Sequence, residues 1–509
     1  MNTNQKPEIT NFEADIVVIG SGGGLAAAVT AAEKGVKNII VLEKQDIAGG
    51  NSRIAQGLFA CESPVQKRKN LLVDRDECFK YFMNWHHWAG VNPRIARAYI
   101  NKSGETIKWF QSKGIEFEIK AWYPAQKLRG FHWPLKGKGP EFGGGAELIR
   151  VLIDESKKLG INIMLRTRAK KILLDSKAMV SGIIVEQEGR EQKINTKCVI
   201  ISTGSFAGNT DLIKKLCPDS YHEDMFIWEG MKPYTGDGIL MAAEVGAAIS
   251  DRLPATSEGP APDYPSKKGS LSADINEPFA GVVREPNTMW VNKNGRRFVD
   301  ETTGFLLPVS ANAIALQPDK KMFTLFDDHL REEMEKEGLI VGRGWGAGEE
   351  GQRTALPNLK KILERRSHEG DMSLVKITNS WDEMAKWIGA DPYVLKNEVE
   401  EYNRYCDQGY DTVFAKERRF LIPLRTPPFY GIRCIASSGV GTGGIIINEH
   451  MEVISTKGSI IPGLYATGDA ASGIQGQTYC GELCGSGLGF AMNSARIAGE
   501  NAALFILGK

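Results

Sequence analysis

Residues 14–43 read ADIVVIGSGGGLAAAVTAAEKGVKNIIVLE, and the order of residue types in this stretch decides the fold. Ala14–Ile19 is a short β-branched run of the kind that forms a buried strand. Gly20-Ser21-Gly22-Gly23-Gly24 follows as a loop. Leu25–Lys34 (LAAAVTAAEK) is an Ala-rich helix former stopped by Gly35, and Asn38–Leu42 is a second strand that ends at Glu43. This is one βαβ unit with a glycine loop opening its helix. Backbone amides in such a loop can approach a pyrophosphate, and the helix dipole adds positive potential there. A carboxylate closing the second strand can accept hydrogen bonds from a ribose. A purely structural glycine turn is the alternative. Strand, loop, helix and acid all agree, which favours a nucleotide.

Outward from this unit, Gly145–Gly160 has the pattern of an amphipathic helix. Ile161–Leu165, Ala169–Leu174, Val180–Glu188 and Gln192–Ser202 read as strands, and Glu229–Ala248 as a Thr235-Gly236-Asp237 turn followed by a helix. From about Asp251 prolines, glycines and charges become frequent, and 329–373 is charged and poorly periodic. Regular alternation returns near Phe429. The expected fold class is therefore α/β: a Rossmann-like nucleotide domain formed by residues 1–250 and 430–509, with 251–429 inserted as an α+β cap. No internal repeat is visible.

The net charge of +1 gives no electrostatic case for nucleic acid or an acidic membrane. No run of 18 apolar residues occurs, and the polar start Met1–Pro7 lacks a signal region, so the expected location is the cytoplasm. The eight cysteines are scattered without Cys-x-x-Cys spacing, which suits reduced thiols rather than disulfides, zinc, haem or iron–sulfur. Oligomeric state is not indicated.

Longer motifs carry a resemblance. DIVVIGSGGGLAAA, VLEK, GGNSRIAQG, VIISTGSFAGN, TGDGILMAAEVGAA, VNKNGRRFVDE, GLYATGDAASG and GLGFAMNSARIAGENAA occur in this order along nearly the whole chain. The sequence thereby resembles the FAD-dependent flavoproteins that include fumarate reductases, succinate dehydrogenase flavoprotein subunits and 3-ketosteroid dehydrogenases. The resemblance implies FAD, and it implies roles. Gly20, Ser21, Gly22, Gly23 and Gly24 face the pyrophosphate, and Glu43-Lys44 the adenosine ribose. Gly49, Gly50, Asn51, Ser52 and Gly57 lie beside the flavin. The Ala169 backbone pairs with adenine, Thr203-Gly204 turns under the cofactor, and Asp469 after Gly468 holds hydroxyls. Ser486, Gly487, Leu488 and Gly489 open the last helix toward the flavin.

The chain also departs from the family. Its first loop lacks one residue before Leu25-Ala26-Ala27, and Val36-Lys37-Asn38 restores the spacing to Glu43. Membrane-bound relatives attach FAD to a histidine where Asn51 stands, so non-covalent FAD is expected. The fumarate reductases' acid arginine matches Phe305, four residues after Glu301, and a clamp histidine matches Glu258. The His-His-Thr-Met-Gly-Gly segment is replaced by Gly439–Gly444. Arg284 does match a proton-relay arginine, but its acidic partner position is Gly281. A dicarboxylate substrate is therefore not expected.

Two features lean toward the ketosteroid branch. Gly441-Thr442-Gly443-Gly444 resembles one of its loops. Gln477-Thr478-Tyr479 resembles its His-Thr-Tyr, in which tyrosine binds the substrate ketone together with an amide that here falls at Gly485. That branch's proton-abstracting tyrosine corresponds to Phe305, so its chemistry is not carried over whole. Glu482, at the late-arginine position, is either a proton donor or a local structural carboxylate. Cys480 and Cys484 are either a redox dithiol or inert buried thiols. The aromatic clusters Trp85-His86-His87-Trp88 and Trp122-Tyr123 with Phe131-His132-Trp133 suit either a ring-containing substrate or core packing.

The expected activity is reduction, or introduction, of a C=C bond conjugated to a carbonyl on a neutral, cyclic, steroid-like molecule. A fumarate or enoate reductase with a rearranged clamp, and an electron-transferring subunit of a complex, are the alternatives. The sequence identifies a small-molecule substrate class but no electron donor.

Overall fold

The structure is a computed structural model. It describes residues 11–121, 126–135, 144–218, 221, 231–250, 258–263, 279–341, 353, 355–368, 374–437, 443–476 and 478–509. Trp122, Tyr123, Pro124, Gly439–Thr442 and Gln477, all singled out above, lie outside the described residues.

The βαβ unit forms as its residue types dictate. Ile16–Ile19 and Ile39–Leu42 are fully buried parallel strands, and Gly23–Glu33 is the helix between them. They belong to a six-stranded sheet ordered Glu452–Ile454, Ile460–Ala466, Val199–Ile201, Ile16–Ile19, Ile39–Leu42, Asn162–Met164. Every pairing is parallel except the one at the Glu452–Ile454 edge. The first helix packs on the last, Ser486–Leu507, with small residues at the crossing: a Cβ on Gly499 would lie 2.4 Å from the Ala27 carbonyl oxygen. A four-stranded sheet (Asn11–Glu13, Arg190–Asn195, Val180–Gln187, Thr167–Leu174) shares the same apolar core.

A second sheet contains Glu258–Pro262, Met289–Asn292, Lys321–Asp327, Val375–Thr378 and Phe429–Ser437. It is covered on both faces. Trp290, Met322 and Phe326 enter one core, while the alternate residues Met289, Val291, Phe323 and Leu325 enter another. The period of two in side-chain direction thus feeds two cores from single strands.

Three local readings change. Gln192–Ser202 is not one strand but two, Arg190–Asn195 and Val199–Ile201, which belong to different sheets. Between them Thr196 Oγ1 donates to the Asp15 and Cys198 carbonyls, each at 3.1 Å, and turns the chain from one sheet to the other. The charged stretch 329–373 contains two helices, Asp328–Lys336 and Leu359–Ser367. Of their few apolar residues, Leu330, Met334, Leu359 and Leu363 are buried and Ile362 is half-buried, and i,i+3 and i,i+4 ion pairs from Arg331 account for much of the charge. Finally, Phe429–Ser437 lies wholly in the second sheet, which carries that sheet past residue 429, where the texture change had put the edge of the insert.

Candidate functional site

A cleft enclosing about 840 Å³, including its open mouth, lies at the carboxyl ends of the parallel strands. Of the expected cofactor residues, Gly20, Ser21, Gly22, Gly23, Glu43, Lys44, Gly50, Asn51, Ser52, Ala169, Thr203, Gly204, Gly468 and Asp469 line it. Gly20 has φ +95°, and a Cβ there would lie 2.3 Å from the Ser202 carbonyl oxygen, so the turn requires glycine twice over. The helix that follows begins at Gly22 without a side-chain cap, which leaves its first amides directed at the cleft.

Glu43 ties this loop together. Its Oε2 accepts from Ser21 N at 3.2 Å and from Ser21 Oγ at 2.5 Å, while Oε1 accepts from Gln45 N at 3.0 Å. Ser21 Oγ in turn accepts from Gly49 N at 2.8 Å. Beyond it Lys44 Nζ (3.2 Å) and Arg168 (3.0 Å) both pair with Asp237, beside Thr235. Tyr234 lies against Gly50 and Gly204. Desolvation pushes the Asp469 carboxyl up to about 6.

Sequence reasoning missed Gln45, Thr167, Arg168, Ser202, Tyr234, Asp237 and Ala491 as lining residues. Most are chain neighbours of motif residues. The Tyr234–Asp237 group stands on the TGD motif, which was read as a turn and as a family motif but given no place in the cofactor site.

Other expected residues sit outside the cleft. Gly24 packs helix on strand: a Cβ there would be 2.7 Å from Val18 Cγ1. The early third glycine of the loop therefore serves close packing. Gly49 supplies the amide to Ser21, and a Cβ on Gly57 would sit 2.4 Å from the His132 carbonyl oxygen. Ser486, Gly487, Leu488 and Gly489 form the first turn of the last helix, capped by Gly485 at φ +83°. Among the described residues the space beside Gly487 is open, since a Cβ there would meet none of them within 4 Å.

At this helix start the Tyr479 hydroxyl accepts from Gly487 N at 3.4 Å, and Ser486 is buried alongside. Burial raises the phenol above its ordinary range. The Gly485 carbonyl accepts from Phe59 N at 3.1 Å and Gly489 N at 2.8 Å, locking the turn to the strand Leu58–Phe59.

Glu482 is buried, and its Oε2 accepts from the backbone amides of Lys127 at 3.0 Å and Leu128 at 3.1 Å. Its own carbonyl accepts from Gln126 Nε2 at 3.0 Å. In this geometry the carboxylate accepts two backbone hydrogen bonds that fasten residues 126–128. Cys480 and Cys484 are buried, and desolvation pushes the Cys480 thiol up to about 12 and Cys484 higher than usual. Neither has the depressed pKa of a reactive thiolate.

The remaining candidates belong to the second sheet and its flanks. Arg284 is buried and donates from Nε to the Pro260 carbonyl at 3.1 Å. Phe305 packs with its ring centroid 5.9 Å from that of Phe420. Its neighbour Leu306 reaches Gly481, with Cδ2 3.2 Å from where a Cβ would stand, so this region abuts the Tyr479–Gly485 loop. Glu258 begins the strand opposite Ser437.

Of the two aromatic clusters, His86 and His132 are core residues, while Trp88 is exposed. His86 is buried against Phe82 and Gly476, and burial lowers its imidazole to about 4. His132 joins Ser63 Oγ (2.7 Å) to the Gly130 carbonyl (2.7 Å) in the core.

A glycine-floored cleft at the carboxyl edge of a parallel sheet, with an acid ending the second strand, defines a dinucleotide-binding flavoprotein. The FAD binding domain family, type 2, matches residues 15–488, and the chain belongs to it. Vinyl phenol reductase of Lactiplantibacillus plantarum is 29% identical over 96% of each chain. Fumarate reductase (cytochrome) of Shewanella frigidimarina is 28% identical over 96% of this chain and 77% of that protein. The 3-ketosteroid-Δ4-(5α)-dehydrogenase of Rhodococcus jostii shares the fold, with a TM-score of 0.71 and 23% identity over 98% of this chain and 99% of that one. The protein is an FAD-dependent oxidoreductase of the class that acts on carbon–carbon double bonds. No helix among the described residues is long and apolar enough to cross a membrane.

Proposed function

We propose that the chain holds FAD non-covalently and reduces, or introduces, a C=C bond conjugated to a carbonyl on a neutral, ring-containing substrate such as a steroid-like enone. The residues fit the cofactor. Glycines floor the cleft, the first helix offers uncapped amides, Thr203 Oγ1 is buried with no hydrogen-bond partner among the described residues, and Asp469 is a desolvated carboxyl. Asn51 is a side-chain amide, which supplies no nucleophile for a covalent flavin link. FAD, when bound, exchanges a hydride with carbon.

The protein's own part is to polarise the substrate oxygen. As hydride reaches the β-carbon, negative charge develops on the carbonyl. The observation that carries the reading is the Tyr479 hydroxyl on the first turn of the last helix, beside the open space at Gly487. A phenol donor and helix amides together make an oxyanion-type site. Phe305 in place of an acid arginine, with Arg284 turned to the Pro260 carbonyl, argues against a dicarboxylate. The relative named for vinyl phenol agrees with the neutral, ring-containing part of this reading, although that compound's double bond is conjugated to a phenol ring and not to a carbonyl.

A fumarate or enoate reductase with a rearranged clamp is the second reading, and the match at Arg284 is what favours it. The test is anaerobic: the reduced enzyme is mixed with a cyclic enone, with a vinyl phenol and with fumarate, and flavin reoxidation is followed. Reoxidation by the enone supports the first reading, and reoxidation by the vinyl phenol alone keeps a neutral ring substrate but removes the carbonyl from it. Reoxidation by fumarate alone supports the second, and reoxidation by none of them leaves a subunit that only passes electrons.

A further inference from the structure

A reductase of this kind must take electrons from outside, and a basic face lies near the turn that opens the last helix. The short helix Pro64–Arg68 is fixed by a capping box between Ser63 and Gln66. Gln66 is buried, and its Nε2 donates to the carbonyls of Ala60 (2.9 Å) and Arg129 (3.0 Å). One side of the helix is thereby stapled to the segment 126–130. The other side exposes Lys67, Arg68 and Lys69, while Lys127 and Arg129 are exposed on the stapled segment. No ion pair involving these five is found among the described residues. Of the acids beside them, Glu62 pairs with Arg75, and the Glu482 carboxylate is held by the Lys127 and Leu128 amides. Leu72, 90% exposed, stands at the edge of the cluster as an apolar contact. The whole chain carries only +1, so this concentration of positive charge is local.

The face is also close to the reacting end. Ala60 N donates to the Gly130 carbonyl at 2.9 Å, and Phe59 N donates to the Gly485 carbonyl at 3.1 Å. Two hydrogen-bonded spacings, about 10 Å, thus separate the backbone at Arg129 from the turn that opens the last helix. Glu482 adds a direct tie from Lys127 to the same loop at 3.0 Å.

We propose that this face docks an acidic one-electron carrier protein, which reduces the enzyme; the inference rests on the reductase reading above. Two reduced carriers each give one electron, and the cofactor takes up both with one proton from solvent. A cluster of unpaired cations steers an acidic protein and sets its orientation, and the exposed leucine supplies the apolar contact such a small interface needs. Nothing comparable is required for a small neutral donor.

The probe is flavodoxin. Its binding to the holoenzyme is measured by calorimetry in the oxidised state, which is independent of turnover, at low and at moderate salt. The expected result is measurable affinity that falls about tenfold or more with added salt and by a similar factor in the Lys67→Glu/Arg68→Glu/Lys69→Glu variant. The control Lys34→Glu/Lys37→Glu keeps wild-type affinity. Turnover driven by reduced methyl viologen stays near wild type in both variants, which shows that they fold. Absent binding, or affinity unchanged in the triple variant, overturns the proposal. So does loss of binding to anionic phosphatidylserine vesicles in that variant, which reassigns the face to a lipid surface. If flavodoxin binds as expected but no alkene reoxidises the reduced enzyme, it is the reductase reading that fails.

Discussion

The Tyr479 hydroxyl accepts a hydrogen bond from the Gly487 amide at 3.4 Å, which seats a phenol on the first turn of the last helix with its own O–H directed elsewhere. The amide polarises the phenol in the direction that makes it a better donor. Tyr479→Phe deletes the hydroxyl and keeps the ring. Flavin content and melting temperature are expected to stay near wild type, while turnover on an accepted enone falls by roughly 10²–10³. Undiminished turnover would remove Tyr479 from the site.

Glu482 gives a test by contrast. Glutamine keeps a carbonyl oxygen that can accept from Lys127 N and Leu128 N, and alanine does not. Glu482→Gln is therefore expected to retain most activity, and Glu482→Ala to lose it through loosening of residues 126–130. Steady-state kinetics on the two variants decide the matter. A glutamine variant as inactive as the alanine one would make the carboxyl a proton donor.

Replacing Glu43 by alanine removes the acceptor for Ser21 and Gln45 and the expected acceptor for ribose. Charge-assisted hydrogen bonds contribute about 1.5–3 kcal/mol each, so FAD affinity should fall roughly tenfold to a hundredfold. Fluorescence titration of the apoprotein with FAD reads this directly. Unchanged affinity would mean that Glu43 serves the loop alone.

Asp469 makes apoprotein stability depend on pH. Its folded-state value of about 6 lies above the ordinary 3.8, so the native state holds the proton more tightly than the unfolded chain does. Its contribution is fully present below about pH 4 and is lost as pH rises through about 6. In Asp469→Asn that component disappears, and the difference in melting temperature between variant and wild type should grow in favour of the variant from pH 4 to 6. A difference that is flat across this window would contradict the desolvated carboxyl.

The non-covalent link is checked by acid precipitation, which should release all flavin colour into the supernatant. Colour retained in the pellet would indicate a covalent bond.

Much of the nucleotide domain was legible because its signals are local. A β-branched run, a glycine loop and an alanine helix each specify their own geometry, and the lining residues Gly20–Gly23 and Glu43 stand in or end those segments, while Asp469 was placed only by the motif resemblance. Tyr234 and Arg168 were not legible, because they reach the cleft from separate elements that only the folded sheet order brings together. The second sheet was hidden for a different reason. Its strands are buried on both faces, so they show no polar alternation, and the charged helices beside them pair their charges among themselves. The role of Glu482 depends on Lys127 and Leu128, more than 350 positions away, and no spacing rule reaches that far.

The bonds from Glu43 to Ser21 and Gln45, and from Ser21 to Gly49, are complete within the polypeptide. The loops of the cradle are therefore tied to one another by the chain's own groups. A stripped apoprotein should persist in solution as a shaped receptor, open to exchange with synthetic isoalloxazines of chosen redox potential.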